Sequence, residues 1–458
     1  MKFIERIITR LWNRRAARLR RAIIVRALDL GALVSEGEPT RGSVTVDQVR
    51  RAEHIAILGK TGSGKSFAIR YIARQDIVAG RGFFYIDLHG DATPFLLAVI
   101  AEREQLLNQD LSEKTIVIEL SDPDFSVGLN PLEVQRGTNR FVQIADITQT
   151  TKERWHLDTL GARTEELLRN TLYVLAESGF TLVELGALLA HATFRAACLK
   201  NLNNAEVKQY FELRYDQASE PMRAVMREPI LNKVSAFTAD PHFRHIVGQT
   251  HSTFSILEAM DKGYWVILNI PKGKLGEQVV TLGSLFLTMV KNALFARASR
   301  ELFTLYCDEI QNLVAFGSGL DTVLSEARKF GISVVSANQF LDQYPPDMRA
   351  AILAVGTHIF FQLSSADAQQ VATALDGGKP LAELLKNLPR RHMVVKTGSE
   401  RWQEARVPTL TEPKVDPSDL YARCRARWAR GRNEIEEEIR QRQAIVGRST
   451  NEALNEWE

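Results

Sequence analysis

The sequence predicts an α/β protein: a mostly parallel central sheet wrapped by helices, with an all-helical insertion domain in the middle of the strand order. Three observations lead there. From about Arg51, short β-rich runs alternate with helical ones, which is how a chain builds a parallel sheet with crossover helices. One of those strands runs directly into a glycine-rich loop and then a helix, across residues 54–77. Between Val134 and roughly Phe237 no strand pattern occurs, while Leu167, Leu168, Leu172 and Leu175 recur at helical spacing.

Taken in order, the chain opens with a basic segment. Residues 1–26 hold nine Lys or Arg and one Glu, a charge of +8; with a total of +3, the rest sums to 3 − 8 = −5. Ile4, Ile7, Ile8, Leu11 and Trp12 form an apolar stripe at helical spacing. Four roles fit such a helix: an anionic membrane surface, a nucleic-acid backbone, a groove on a partner, or packing on the main body. Strands are expected at 54–58, 83–87, 115–119, 264–270, 302–307, 332–336 and 358–363, with a later one near 393–396. From Asp416 the chain carries mixed charge, densest over 434–442, and reads as a solvated helix or tail. The expected division is a basic N-terminal segment (1–50), an ATPase domain (51–133 and 238–400), the helical insertion (134–237) and a charged C-terminal tail (401–458).

Composition narrows the class. With 45% hydrophobic and 25% charged residues, the chain matches ordinary globular proteins. Its longest apolar runs, such as 94–101, fall well short of the ~18 residues that cross a bilayer. Cys198, Cys307 and Cys424 are far apart with no metal-ligand spacing, which suits a reducing, cytoplasmic setting. Residues 1–26 would then supply any peripheral contact with the inner membrane.

Gly59-Lys60-Thr61-Gly62-Ser63-Gly64-Lys65-Ser66 fits the phosphate-binding pattern G-x-x-x-x-G-K-[ST] in full. An apolar strand precedes it and a helix follows, the context that gives the motif meaning. Backbone N–H groups and the helix N-terminus cradle a phosphate chain there. Lys65 would reach the β- and γ-phosphates of ATP, and Ser66 would ligate Mg²⁺. The second half of such a site needs a carboxylate for Mg²⁺ and a base for water. Leu302-Phe303-Thr304-Leu305-Tyr306-Cys307-Asp308-Glu309 supplies both, Asp308 for the metal and Glu309 as base. Further on, Arg328 lies on the charged side of a helix with apolar residues at Leu320, Val323, Leu324, Ala327 and Phe330. It is either a catalytic cation or a surface arginine pairing with Glu326 or a neighbour. Gln339, at the tip of the next strand, is either a γ-phosphate sensor or a loop-capping amide. No guanine-specifying Asn/Thr-Lys-x-Asp run follows Asp308-Glu309, which disfavours a signalling GTPase.

Several strings together resemble the HerA/FtsK superfamily: Gly59 to Ser66, Tyr85-Ile86-Asp87-Leu88-His89-Gly90-Asp91, Tyr306-Cys307-Asp308-Glu309-Ile310-Gln311-Asn312, Leu324-Ser325-Glu326-Ala327-Arg328-Lys329-Phe330-Gly331 and Ala337-Asn338-Gln339. Asn130-Pro131-Leu132 and the run from Gly161 to Arg169 agree. Within the superfamily, the likeness is to the DNA-pumping coupling ATPases of conjugation and type IV secretion, over roughly residues 51–376. That resemblance implies a RecA-like P-loop NTPase that forms a hexameric ring around DNA, each site completed by a neighbour's arginine. The matching positions are Lys65, Ser66, Asp308, Glu309, Gln339 and Arg328. Asp87 to Asp91 would flank the nucleotide, or simply make a turn. Two departures stand out. Membrane-anchored coupling proteins begin with transmembrane helices, which this chain lacks, and the strand that ends Phe-Arg in those relatives reads Phe361-Gln362 here.

The expected function is therefore ATP-driven translocation of DNA by a homo-hexamer, in conjugation or type IV secretion, with a secretion-system partner. Lys272 and Lys274, in a turn after a sheet strand, are DNA-backbone candidates or an ordinary solvated loop. The alternatives are a HerA-like ATPase paired with a nuclease in DNA processing or phage defence, and an ATPase of protein secretion or pilus assembly.

Overall fold

The computed structural model describes residues 27–135, 137–157, 161–313 and 320–455. Its strands are β1 (Ala27–Ser35), β2 (Glu38–Asp47), β3 (Ile55–Leu58), β4 (Phe83–Asp87), β5 (Thr115–Glu119), β6 (Phe125–Ser126), β7 (Trp265–Asn269), β8 (Phe303–Asp308), β9 (Ile332–Asn338), β10 (Thr357–Phe360), β11 (His392–Thr397), β12 (Gln403–Arg406) and β13 (Arg430–Gly431). One 11-stranded sheet has the order β2-β1-β12-β11-β10-β3-β9-β8-β4-β7-β5, and β6 pairs with β13 apart from it. From β10 to β5 all neighbours are parallel; β11, β12, β1 and β2 extend the edge antiparallel.

Strand alternation builds a core on each face. Ala56, Leu58, Phe84 and Ile86 point into one layer with the apolar helix Gln278–Leu294; Ile55, Ile57, Phe83 and Tyr85 point into the other, with helices Lys65–Ala79 and Ala92–Leu107. Between β6 and β7 the described residues are helical or irregular, led by Arg140–Arg154, Ala162–Glu177 and Glu220–Thr238. Asn130 fastens this block: its side-chain amide donates to Thr250 O at 2.9 Å, and its N–H donates to Ser252 Oγ at 3.0 Å.

Two parts of the expected division change. Residues 1–26 lie outside the described residues, but Ala27–Asp47 is not a separate segment: it is the β1–β2 hairpin of the main sheet. Leu28, Leu30, Val44 and Val46 bury one alternating face, and Asp29 is tied to the helix Lys65–Ala79 through Gln75 (2.9 and 2.8 Å) and Tyr71 (2.7 Å). Residues 401–458 are not simply a solvated tail either. β12 bridges β11 and β1. Helix Ser418–Trp428 buries Leu420 and Cys424, with Arg423 gripping Glu104 at 2.6 Å. Helix Arg432–Asn455 buries Ile435 and Ile439 against Val183 of the insertion. A few apolar anchors, diluted by charge, are enough to hold these helices.

One buried cluster joins the pieces. Arg51, just before β3, makes a bidentate pair with Asp76 near the end of helix Lys65–Ala79, both contacts 2.7 Å and both side chains 0% exposed. Tyr306 Oη and Thr304 Oγ1 of β8 donate to the same Asp76 oxygen at 2.6 and 3.1 Å. Burial alone would push the Asp76 carboxyl up, but Arg51 outweighs it and holds the carboxyl below the usual range. Asp76→Asn or Arg51→Met, each leaving an unpaired buried charge or a broken pair, should cost about 3–5 kcal/mol in denaturant unfolding, and Arg51→Met with Asp76→Leu should recover most of it. Single-variant losses below ~1 kcal/mol would show that the cluster does not carry this weight.

Candidate active site

The parallel strands end along one edge of the sheet, where ligands bind in open α/β folds. Chain segments at the ends of β3, β4, β8 and β9 meet there. After β3 the loop turns so tightly that a Cβ at Gly59 would lie 2.6 Å from Phe361 Cβ and 2.7 Å from Ser63 Oγ. Gly64 has φ +127°, and a Cβ there would come 3.1 Å from the Phe361 ring. The Lys60 N–H donates to Gln362 O at 2.8 Å, so the residue that departs from the resembled pattern supports the loop through its backbone. Its side chain turns away, donating to Lys386 O at 3.0 Å.

Lys65 is buried and donates from Nζ to Gly59 O (2.6 Å) and Lys60 O (3.2 Å). Burial pushes its pKa down, opposed by the negative charges of Asp308 and Glu309. Ser66 Oγ donates to Asp308 Oδ2 at 2.7 Å. That hydroxyl and that carboxylate, hard oxygen donors side by side at the mouth of the loop, are a donor set that fits Mg²⁺. Burial pushes the Asp308 carboxyl up, against the Ser66 hydrogen bond and the Lys65 charge.

Glu309 sits on a left-handed backbone, φ 57°, uncommon for a residue with a Cβ and typical of strain held at a functional position. Its Oε1 accepts from Gln339 Nε2 at 3.1 Å and its Oε2 from Asn312 Nδ2 at 3.0 Å. His89 Nε2 lies 3.6 Å from Oε1, a charge contact just beyond hydrogen-bond length. His89 holds the Glu309 carboxyl below its usual range, helped by Gln339 and Asn312. In return, Glu309 pushes the half-exposed His89 up to about 9. The Gln339 side chain therefore reaches Glu309 rather than capping its own loop.

His89 and Asn312 were not singled out by sequence reasoning, although both lie inside the strings that carried the resemblance. Only the fold puts them at one carboxylate. Asp87 does make the turn: Oδ1 accepts from the N–H groups of His89 and Gly90 (3.3 and 2.8 Å), and Oδ2 from those of Ala92 and Thr93 (3.0 and 2.8 Å). That turn aims His89 at Glu309.

Other candidates lie elsewhere. Arg328, in the short helix Ala327–Phe330, pairs with Glu53 at 3.0 Å and is 63% exposed. It does not pair with Glu326, which is taken by Lys329. Glu53 precedes β3, so Arg328 stands at the sheet edge opposite its own Lys65. Lys272 and Lys274 belong to a one-turn helix, Lys272–Leu275, rather than an open turn. Lys272 pairs with Glu277 at 3.0 Å, while Lys274 is exposed.

Chemically, the arrangement can hold a phosphate chain on the loop, place a divalent cation at Ser66 and Asp308, and offer Glu309 as acceptor of a water proton. Comparison with known proteins shows the family and the fold. A family model described as the central domain of the helicase HerA matches residues 28–270, more than half of the chain and starting at β1. Solved structures of similar fold include the plasmid coupling protein TrwB in complex with the non-hydrolysable GTP analogue GDPNP, at 18% identity and TM-score 0.60, covering 86% of this chain and 97% of that one. TrwB in complex with ADP and Mg²⁺ aligns at 16% identity and TM-score 0.57, covering 84% and 91%. VirB4 of Thermoanaerobacter pseudethanolicus aligns at 18% identity and TM-score 0.58, covering 84% and 97%. At these identities the likeness is one of fold: a RecA-type α/β NTPase. No curated protein sequence matches.

Two substitutions should separate binding from chemistry. Lys65→Ala should weaken nucleotide binding and hydrolysis together. Glu309→Gln keeps the shape and the amide contacts, so nucleotide should stay bound while phosphate release falls by about 10²–10⁴. Near-normal turnover in Glu309→Gln would remove Glu309 as the base.

Proposed function

Because the chain belongs to the family of the HerA helicase central domain, we propose that it is an ATP-hydrolysing DNA translocase that works as a hexameric ring, pumping DNA in conjugation or type IV secretion. The observation that carries the hydrolysis is the meeting of Ser66 with Asp308 at 2.7 Å beside a Glu309 held by Gln339. In this reading, water attacks the γ-phosphorus, Glu309 takes the water's proton, the bond to the β-phosphate oxygen breaks, and ADP and phosphate leave. Ser66 and Asp308 would hold Mg²⁺, which when bound would supply positive charge against the phosphate oxygens. Lys65 spans the β- and γ-phosphates, and Gln339 orients Glu309 from the end of β9.

The translocase part rests on the family and on the fold shared with a plasmid coupling protein. DNA contact would come from loops facing a ring's pore; exposed Lys274, with Lys272 beside it, is the candidate. Residues 1–26 would attach the motor to a partner or to the inner membrane. The same family supports a second reading, an ATPase that drives a nuclease partner in DNA processing. A cytoplasmic setting fits both.

Two experiments test this. The ATPase rate should rise several-fold with single- or double-stranded DNA, alongside a ring-sized mass by light scattering. A DNA-independent rate from a monomer would overturn the proposal. Arg328, facing away from its own Lys65, suits a neighbour's γ-phosphate, where such a cation is worth about 10³–10⁵ in rate. Arg328→Ala subunits mixed with Lys65→Ala subunits should regain part of the lost hydrolysis. No recovery, with mixed rings verified, would rule out the trans role.

A further inference from the structure

The antiparallel edge of the sheet brings a second cation to the phosphate loop. The loop leaves the end of β3, between β9 and β8 on one side and β10 and β11 on the other. Asp308, Glu309 and Gln339 lie at the ends of β8 and β9, so the γ-phosphate of a bound nucleotide faces that side. A triphosphate laid across the helix N-terminus then sends its nucleoside toward β10 and β11.

Arg391 stands there, directly before β11. Its N–H donates to Ser63 O inside the phosphate loop at 2.8 Å, and its carbonyl accepts from Val407 N at 3.0 Å. Those bonds hold it at φ 67°, a left-handed conformation that an arginine adopts only when its surroundings impose it. A Cβ on Gly64 would come within 3.3 Å of its Cα, so backbone and loop are in direct contact. The guanidinium lies over the ring of Phe67, the third residue of the phosphate-loop helix, 5.8 Å from the centroid, and Nη1 donates to Thr409 Oγ1 at 3.0 Å. Among the described residues no carboxylate pairs with it. An arginine in a left-handed conformation is thus held against the loop by its backbone, with its guanidinium over an aromatic ring and, among the described residues, without a carboxylate partner.

We infer that Arg391 and Phe67 form the seat of the nucleotide's base, the guanidinium plane stacking on a purine while Phe67 supports it from behind. This rests on the nucleotide-site reading above and extends it from the phosphates to the nucleoside. Guanidinium planes stack on aromatic rings, and an electron-rich purine offers the better face. Stacking reads the ring rather than its edge, so adenine and guanine bind alike.

The test is binding of ATP, GTP and inorganic tripolyphosphate by calorimetry, with thermal melting as the folding control. Arg391→Ala should weaken ATP and GTP by about tenfold each and leave tripolyphosphate unchanged. Phe67→Leu, which keeps the apolar bulk, should show the same pattern and serves if Arg391→Ala does not fold. Equal losses for ATP and tripolyphosphate would mean that Arg391 only shapes the loop, and an unchanged ATP affinity would mean that no base rests there. Lys65→Ala is the separate control: if it spares both ATP and tripolyphosphate, the phosphate site itself is wrong.

Discussion

The Arg51–Asp76 pair sits where three parts of the sequence must agree. Asp76 closes the phosphate-loop helix, Arg51 introduces the strand that leads into that loop, and Tyr306 and Thr304 lie on the strand that ends in Asp308. Two charges with no solvent around them tolerate little displacement, because each lost contact leaves a buried ion unsatisfied. The pair therefore works as a clamp on geometry more than as a source of net stability. With the helix and β8 held at their far ends, Ser66 and Asp308 are left facing each other at 2.7 Å. Loosening the cluster would first be felt in that distance.

Around this frame the sheet separates tasks by edge. The carboxyl ends of β3, β4, β8 and β9 gather Lys65, Ser66, His89, Asp308, Glu309 and Gln339. The opposite edge carries Arg328, paired with Glu53 and half in solvent. His54 marks the same far edge: burial pushes it down to about 4, so it stays neutral, accepting from Val334 N at 3.0 Å while its Nε2–H meets Leu324 O at 2.8 Å. It fastens the segment that presents Arg328. The proposed trans role of Arg328 depends on this two-edged layout, with Glu309 at one edge and Arg328 at the other.

Glu309, the proposed base, is held by three neighbours. A left-handed backbone turns its carboxylate toward His89, Asn312 and Gln339, which come from the ends of three different segments. Asn312 and Gln339 donate to the charged form and His89 adds a charge contact, so the group is held ionised while its direction is set. A carboxylate so well satisfied is a weaker proton acceptor than a free one.

What the sequence determined by itself is what a short stretch can encode. The phosphate loop is eight consecutive residues flanked by an apolar strand and a helix, so its position and purpose were legible in Gly59 to Ser66. The parallel strands read clearly too, because strands buried on both faces are almost continuously apolar, as in residues 83–86 and 303–307. The hairpin Ala27–Asp47 and strand Gln403–Arg406 did not, since one face of each is half in solvent and charged or glycine residues dilute the pattern. The same dilution hid Leu420, Ile435 and Ile439 in what looked like a solvated tail. Tertiary structure alone decided that His89 and Asn312 meet Glu309, and that Ser66, 242 residues before Asp308, touches it. It also decided that Arg391 reaches Ser63, and that Arg328 faces away from its own Lys65. Each of these depends on the order of strands across the sheet, and that order is set by long-range packing that no local pattern of residues records.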